Sequence, residues 1–353
     1  MKRPRGQRRH STAAAVLALL GAVMSGLASA QTLTEFDLPP GGSFAVGITS
    51  GPDGHLWFAK FFGSKIGRIS TTGVFTEFAI PTGSSPTEIA TGPDGNLWFT
   101  EPIPNRIGRI STAGVVTEFP IPTPGSTPQG IATGPDHNLW FVELTGDKIG
   151  RITIAGEITE FAIPTSHSES YAIVSGPDGN LWFTESAANK IGRITIAGVI
   201  TEFALPALPG FPAGIASGAD GNLWFTEAIG NRIGRMTTTG VITEFPIATP
   251  SSSPWGIVSG TDGNLWFTQR GSNSLGRITL DGVITEFQVP TPDASPYGIA
   301  SGPDGNLWFT EGFKIGRLTT GAPATPVPTL SDWMFVVLGF GLASLGVGLL
   351  RRS

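Results

Sequence analysis

The segment Gly176–Glu185, GPDGNLWFTE, recurs seven times with small changes and constrains every other reading of the chain. Its tryptophans are Trp57, Trp98, Trp140, Trp182, Trp224, Trp266 and Trp308, separated by 41 residues once and by 42 each time after that. A unit of this size cannot bury its own apolar face, so successive copies must pack on one another. Each copy holds four short apolar runs punctuated by Gly, Pro and Asp, the pattern of strands and turns rather than helices. The first run carries Gly-Ile, the second LWFTE, the third IGRIT and the fourth ITEF. Four-stranded units at this period predict an all-β fold, a seven-bladed β-propeller spanning residues 31–321.

The ends of the array test the ring. Thr-Glu-Phe occurs at Glu35, Glu77, Glu118, Glu160, Glu202, Glu244 and Glu286, so the array opens on a fourth strand and closes on a third. A ring in which Leu33–Leu38 completes the blade ending at Ile315–Thr319 removes both exposed edges. A two-residue Ala113-Gly114 turn would set Arg109 opposite Glu118, with the same count in the other blades and Arg317 opposite Glu35 across the closure. Such pairs fix register and are not chemistry. The Pro-Asp-Gly aspartates read as turn residues and the seven tryptophans as inter-blade core.

The two ends read as addresses. Residues 1–30 have the charged, apolar and Ala28-Ser29-Ala30 parts of a helical, cleavable export signal. Residues 322–333 form a Pro-rich linker ending in PTLSDW. Residues 334–353 hold an uncharged apolar run, Met334–Leu350, followed by Arg351-Arg352, a short membrane-spanning helix with a cytoplasmic basic end. This tail resembles the IPTL-type C-terminal sorting signals of Gram-negative bacteria, with Val327 in the place of the isoleucine. That resemblance implies delivery to the cell envelope and a sorting peptidase as partner; a permanent anchor is the alternative. Between the ends, 15 basic residues face 26 acidic ones, which argues against nucleic acid as a partner. There are no cysteines, hence no disulfide or thiolate metal site.

Function belongs where the copies differ. Longer loops share one face of the ring, and the residue before each Gly-Ile opens on it: Val46, Thr87, Gln129, Tyr171, Ala213, Trp255 and Tyr297. Both tyrosines of the chain are in this set, as is the single propeller tryptophan outside the LWF register, with Phe211 nearby. Two readings stand: these aromatics and Gln129 stack on a small molecule, glycan or cyclic peptide, or they plug the channel mouth. A second set follows each tryptophan by three residues: Lys60, Glu101, Glu143, Glu185, Glu227, Gln269 and Glu311. Carboxylates such as Glu185 and Glu227 would hold a divalent cation, or would line a polar channel as solvated groups. His167, in a loop on the same face, is a proton-transfer candidate or an ordinary solvated histidine. The chain is expected to act as a monomer.

The pieces LWFTE, NKIGRIT (Asn189–Thr195), the strand and turn Val116–Pro124, and SPYGI (Ser295–Ile299) resemble the virginiamycin B lyase family over residues 32–320. The resemblance implies a seven-bladed propeller, opening of a cyclic depsipeptide lactone by elimination, and Mg2+ as cofactor. It also implies two histidine bases before the Gly/Ala-Ile of the last two blades and a glutamate after the second strand of the last. Those positions are Trp255, Tyr297 and Glu311 here, and neither indole nor phenol replaces an imidazole base near neutral pH. Three functions follow as candidates: an envelope-displayed propeller that binds a ligand at the aromatic mouth, a lyase with a rearranged acid–base set built from His167 with Glu185 or Glu311, and a protein-interaction scaffold.

Overall fold

A computed structural model describes residues 31–41 and 44–320; the segments read above as an export signal, a linker and an apolar tail lie outside the described residues. Seven four-stranded antiparallel sheets follow one another, each built as sequence order dictates except the last. There, Leu33–Asp37 pairs with Lys314–Leu318, beside Leu307–Glu311 and Ile299–Ser301. The predicted ring closure is therefore present, and Phe36 stacks on Trp308 at 5.6 Å across it.

The core lies between blades. Every LWF tryptophan and phenylalanine is fully buried. Trp57 packs with Leu97 and Phe99 of the next blade, and Trp308 packs with Phe58 of the first. The turn aspartate four residues earlier accepts the indole N–H, as in Asp136 Oδ1 to Trp140 Nε1 at 2.9 Å, so the polar atom of a buried ring is satisfied. Gly150 of the third strand faces Phe141 of the second, and a Cβ there would lie 2.1 Å from the ring. Glycine at this place lets the phenylalanine lie across the sheet.

The innermost strands close a second ring. The hydroxyls of Ser50, Thr91, Thr133, Ser175, Ser217, Ser259 and Ser301 each donate to the backbone carbonyl of the same position one blade back, at 2.5–2.7 Å. The circuit returns on itself, Ser50 donating to Ser301, at the end of the channel away from the long loops.

The expected arginine–glutamate register is off by one residue. Arg109 faces Thr117 and Gly108 faces Glu118, and Arg317 faces Thr34 rather than Glu35. The connection has three residues, not two: Ser111 bonds Val115 and Gly114 takes φ +91°. A third residue with glycine in the left-handed region adds a bulge and shifts the count. The arginine instead stacks on its blade's aromatics, Arg109 Cζ lying 5.5 Å from the Trp98 ring and 5.7 Å from that of Phe119. Its Nη1 reaches the carbonyl of Ile154 in the next blade at 3.1 Å. The glutamate pairs with the lysine that opens the third strand, Lys148–Glu160 at 3.0 Å and Lys314–Glu35 at 2.9 Å. It also accepts from the loop entering its blade, as Glu160 does from the Thr123 N–H at 3.0 Å and hydroxyl at 2.9 Å.

Candidate functional site: the aromatic mouth of the channel

The start of each innermost strand faces the face of long loops, and four of these starts carry a large ring. Tyr171 lies 5.9 Å from Phe211 and 5.6 Å from Trp255, which lies 5.5 Å from Tyr297. All four are half-buried: packed on one another, yet open to the mouth. Three of them, Tyr171, Trp255 and Tyr297, join Gln129 in lining a cavity of about 160 Å3 in the channel; Phe211 backs Tyr171 from outside it. The rings thus form a collar around open space.

Arg270 flanks this collar, its Cζ 4.9 Å from the Trp255 centroid and 5.1 Å from that of Tyr297. It lines a neighbouring groove with Phe44, Phe61 and Phe62 rather than the channel cavity itself. Burial pushes the Tyr297 phenol up to about 12, with the Glu88 carboxyl adding to it, and burial likewise raises Tyr171. Both phenols are neutral and protonated near pH 7, which is about 3 units below the ordinary tyrosine value. Trp255 has an N–H donor and no acceptor nitrogen. Where the family resemblance implies imidazoles, the site holds groups that stack and donate.

Sequence reasoning passed over one residue of this cavity. Glu88 occupies the position that is Gly47, Gly130, Ala172, Gly214, Gly256 and Gly298 in the other blades. Enclosure by the surrounding strands raises its carboxyl to about 7. The signal was one charged residue in a column of glycine and alanine.

The second set of residues sits elsewhere than expected. Glu101, Glu143, Glu185, Glu227 and Glu311 are buried at 0–3% exposure, within the blades and away from the channel cavity. They share the strand face of the phenylalanine two and the leucine four residues earlier, in a strand buried between blades on both faces. Burial, together with the carboxylate of Glu202, pushes Glu185 up to about 8; burial and Glu35 do the same for Glu311. These are neutral acids beside ionised ones. In the first blade Lys60 takes the place and pairs with Glu77, and in the sixth Gln269, a neutral isostere of a protonated glutamate, does so.

Glu185 and Glu227 do not fit Mg2+, which requires converging ionised oxygens. The first is held neutral, and the second, one blade further on, is bound by Arg232 of its own blade at 2.8 Å. Among the described residues no group of three or more His, Asp or Glu side chains is arranged for a metal. His167 is exposed in the loop before the fourth blade, its backbone N–H donating to Asp147 at 2.7 Å, and it does not line the channel cavity; nor does Glu311. The structure therefore brings together Gln129, Tyr171, Phe211, Trp255 and Tyr297, and leaves His167, Glu185, Glu227 and Glu311 outside their cluster.

A family model for the virginiamycin B lyase family matches residues 23–209 and 172–330. No curated protein matches the chain. A solved streptogramin B lyase is 43% identical with a TM-score of 0.80, over 82% of this chain and 97% of that one. Selenomethionine-substituted virginiamycin B lyase from Staphylococcus aureus is 42% identical with a TM-score of 0.79, over 82% of this chain and 99% of its own. A catalytically inactive form of that enzyme with quinupristin gives the same values. Family model, identity over the whole ring and the seven-bladed closure agree: the chain belongs to the virginiamycin B lyase family.

Proposed function

We propose that this protein is a binding propeller of the virginiamycin B lyase family, exported and held at the cell envelope, that takes a small molecule, glycan or cyclic peptide at its aromatic mouth. The observation that carries this is the collar of Tyr171, Trp255 and Tyr297 around an open cavity, with Trp255 and Tyr297 at the two positions where the family resemblance implies histidine bases. Stacking rings with donor tips bind; they do not abstract a proton near neutral pH. Export rests on residues 1–30, and retention on the sorting motif with residues 334–353 as membrane segment and sorting-peptidase substrate.

The test is a binding screen of the full chain against cyclic depsipeptides, oligosaccharides and short peptides, read by tryptophan fluorescence and calorimetry. Saturable binding that falls at least about tenfold in Trp255→Ala supports the reading, since one stacked ring contributes about 1–3 kcal/mol. Binding to none of these classes, or binding indifferent to Trp255→Ala, overturns it.

One observation favours a second reading, a lyase with a different acid–base set. Glu88 titrates near the pH at which a general base works best. In that reading Glu88 takes the proton and the Tyr297 phenol protonates the leaving oxygen. Linearised depsipeptide produced by the native chain and absent with Glu88→Gln would support it.

A further inference from the structure

We propose that the channel mouth recognises an organic cation: an ammonium head group enters the cavity to pair with Glu88 while the apolar body stacks on Tyr171, Trp255 and Tyr297. This rests on the reading of the mouth as a binding site and names the chemistry of its ligand.

Four observations converge on it. Glu88 stands where the other six blades have glycine or alanine, so its side chain is an addition to the ring and reaches space the other copies leave empty. The neighbouring blade accommodates it: a Cβ on Gly47 would lie 2.6 Å from Glu88 Oε2, so the carboxyl rests on bare backbone. Half-buried at the cavity wall, that carboxyl forms no hydrogen bond or ion pair among the described residues, so its pairing capacity is open to a ligand in the cavity. Lastly, the rings above it form the wall that cations prefer, with the aromatic faces supplying negative quadrupole.

Arg270 already uses those rings. It packs beside Trp255 and Tyr297 from the neighbouring groove, while the channel cavity beneath them holds no basic side chain. The cavity, about 160 Å3, is below the roughly 300–1,000 Å3 of sites that enclose a whole drug-sized ligand, so it takes a head group and leaves the remainder outside. The excess of 26 acidic over 15 basic residues in the propeller favours a cation's approach.

The titratable and charged groups around Glu88 are the Tyr297 and Tyr171 phenols, Arg270 on the far side of the rings and Glu169 beside Tyr171. Both phenols stay protonated below about pH 9, so between about pH 6 and pH 8 the cavity's own change of charge is that of Glu88. Its carboxyl is ionised above about pH 7, so cation binding strengthens as pH rises through that range.

The experiment compares benzylamine with its neutral counterpart, benzyl alcohol, by calorimetry on the full chain at about pH 6 and about pH 8. The inference predicts that benzylamine binds at least about tenfold tighter than benzyl alcohol at the higher pH, that the margin narrows at the lower, and that Glu88→Gln abolishes the margin while keeping benzyl alcohol binding. Retained alcohol binding shows that the variant is folded. Benzyl alcohol binding that needs Trp255, with no advantage for the amine or an advantage kept in Glu88→Gln, overturns the cation inference and leaves the mouth as a binding site. Failure of both probes to bind overturns both.

Discussion

At the scale of single residues, the recurring decision is which carboxyls stay neutral. Five of the seven second strands end in a glutamate buried between blades, and each lies beside the glutamate of its outer strand. Burial and the neighbouring charge raise Glu101 and Glu143 to about 7 and Glu185 and Glu311 to about 8. An acid whose folded value lies above its unfolded one stabilises fully below the unfolded value. That stability is lost as pH rises toward the folded value, here from about 4.5 to about 8. Glu185→Gln reproduces what Gln269 does in the sixth blade. The variant should unfold at higher temperature than the parent at about pH 8, by a free energy of at least about 1 kcal/mol, with the difference vanishing near about pH 5. Thermal unfolding of the two proteins across that range checks it; equal pH slopes would show that Glu185 is ionised. The burial of these glutamates was not legible in strand parity, because both faces of Leu181–Glu185 are buried, Trp182 and Thr184 as fully as Leu181 and Phe183. Tyr171, Trp255 and Tyr297 were readable as the copies that depart from their column. Glu88 departs from the adjacent column by the same logic, one carboxyl among glycine and alanine, but its place in the cavity depends on how the strands pack around the axis.

At the scale of strands and turns, stacking within each blade is joined to contacts that reach the next blade. The outer phenylalanine stacks on its blade's tryptophan, the arginine beside it reaches the next blade's turn, and the inner hydroxyls form a closed circuit. The closing strand Leu33–Asp37 takes the same part through Phe36 on Trp308 as Ile158–Ala162 does through Phe161 on Trp140. Phe36→Ala and Phe161→Ala should therefore destabilise alike, by about 2–3 kcal/mol for a half-buried ring in a stacked pair. Denaturant unfolding measures both; a Phe36→Ala effect near zero would mean that the closure strand is dispensable. The period of the tryptophans made this architecture legible, including the partner of the first strand. Register was not legible to one residue. Thr112-Ala113-Gly114 closes the hairpin with glycine at positive φ, and the same letters would serve a two-residue turn with the opposite count. The inner hydroxyl circuit was written in every copy as Ser or Thr at the end of the Gly-Ile strand. Its meaning appears when seven such ends are brought round one axis.

At the scale of the molecule, the ring is a frame whose rim is distinctive over four of its seven blades. Blades four to seven supply the collar and blade two supplies Glu88, so the site exists only because the chain closes. The chain is 42–43% identical to solved streptogramin lyases over 82% of its length, while the two positions where the family resemblance implies histidines hold Trp255 and Tyr297. The most direct measurement is to incubate the full chain with a streptogramin B lactone and follow both binding and linearised product by mass spectrometry. The account predicts an intact lactone throughout, with any binding lost in Trp255→Ala. Linear product that disappears on adding EDTA would contradict it, and would mean that the elimination chemistry survives without either histidine.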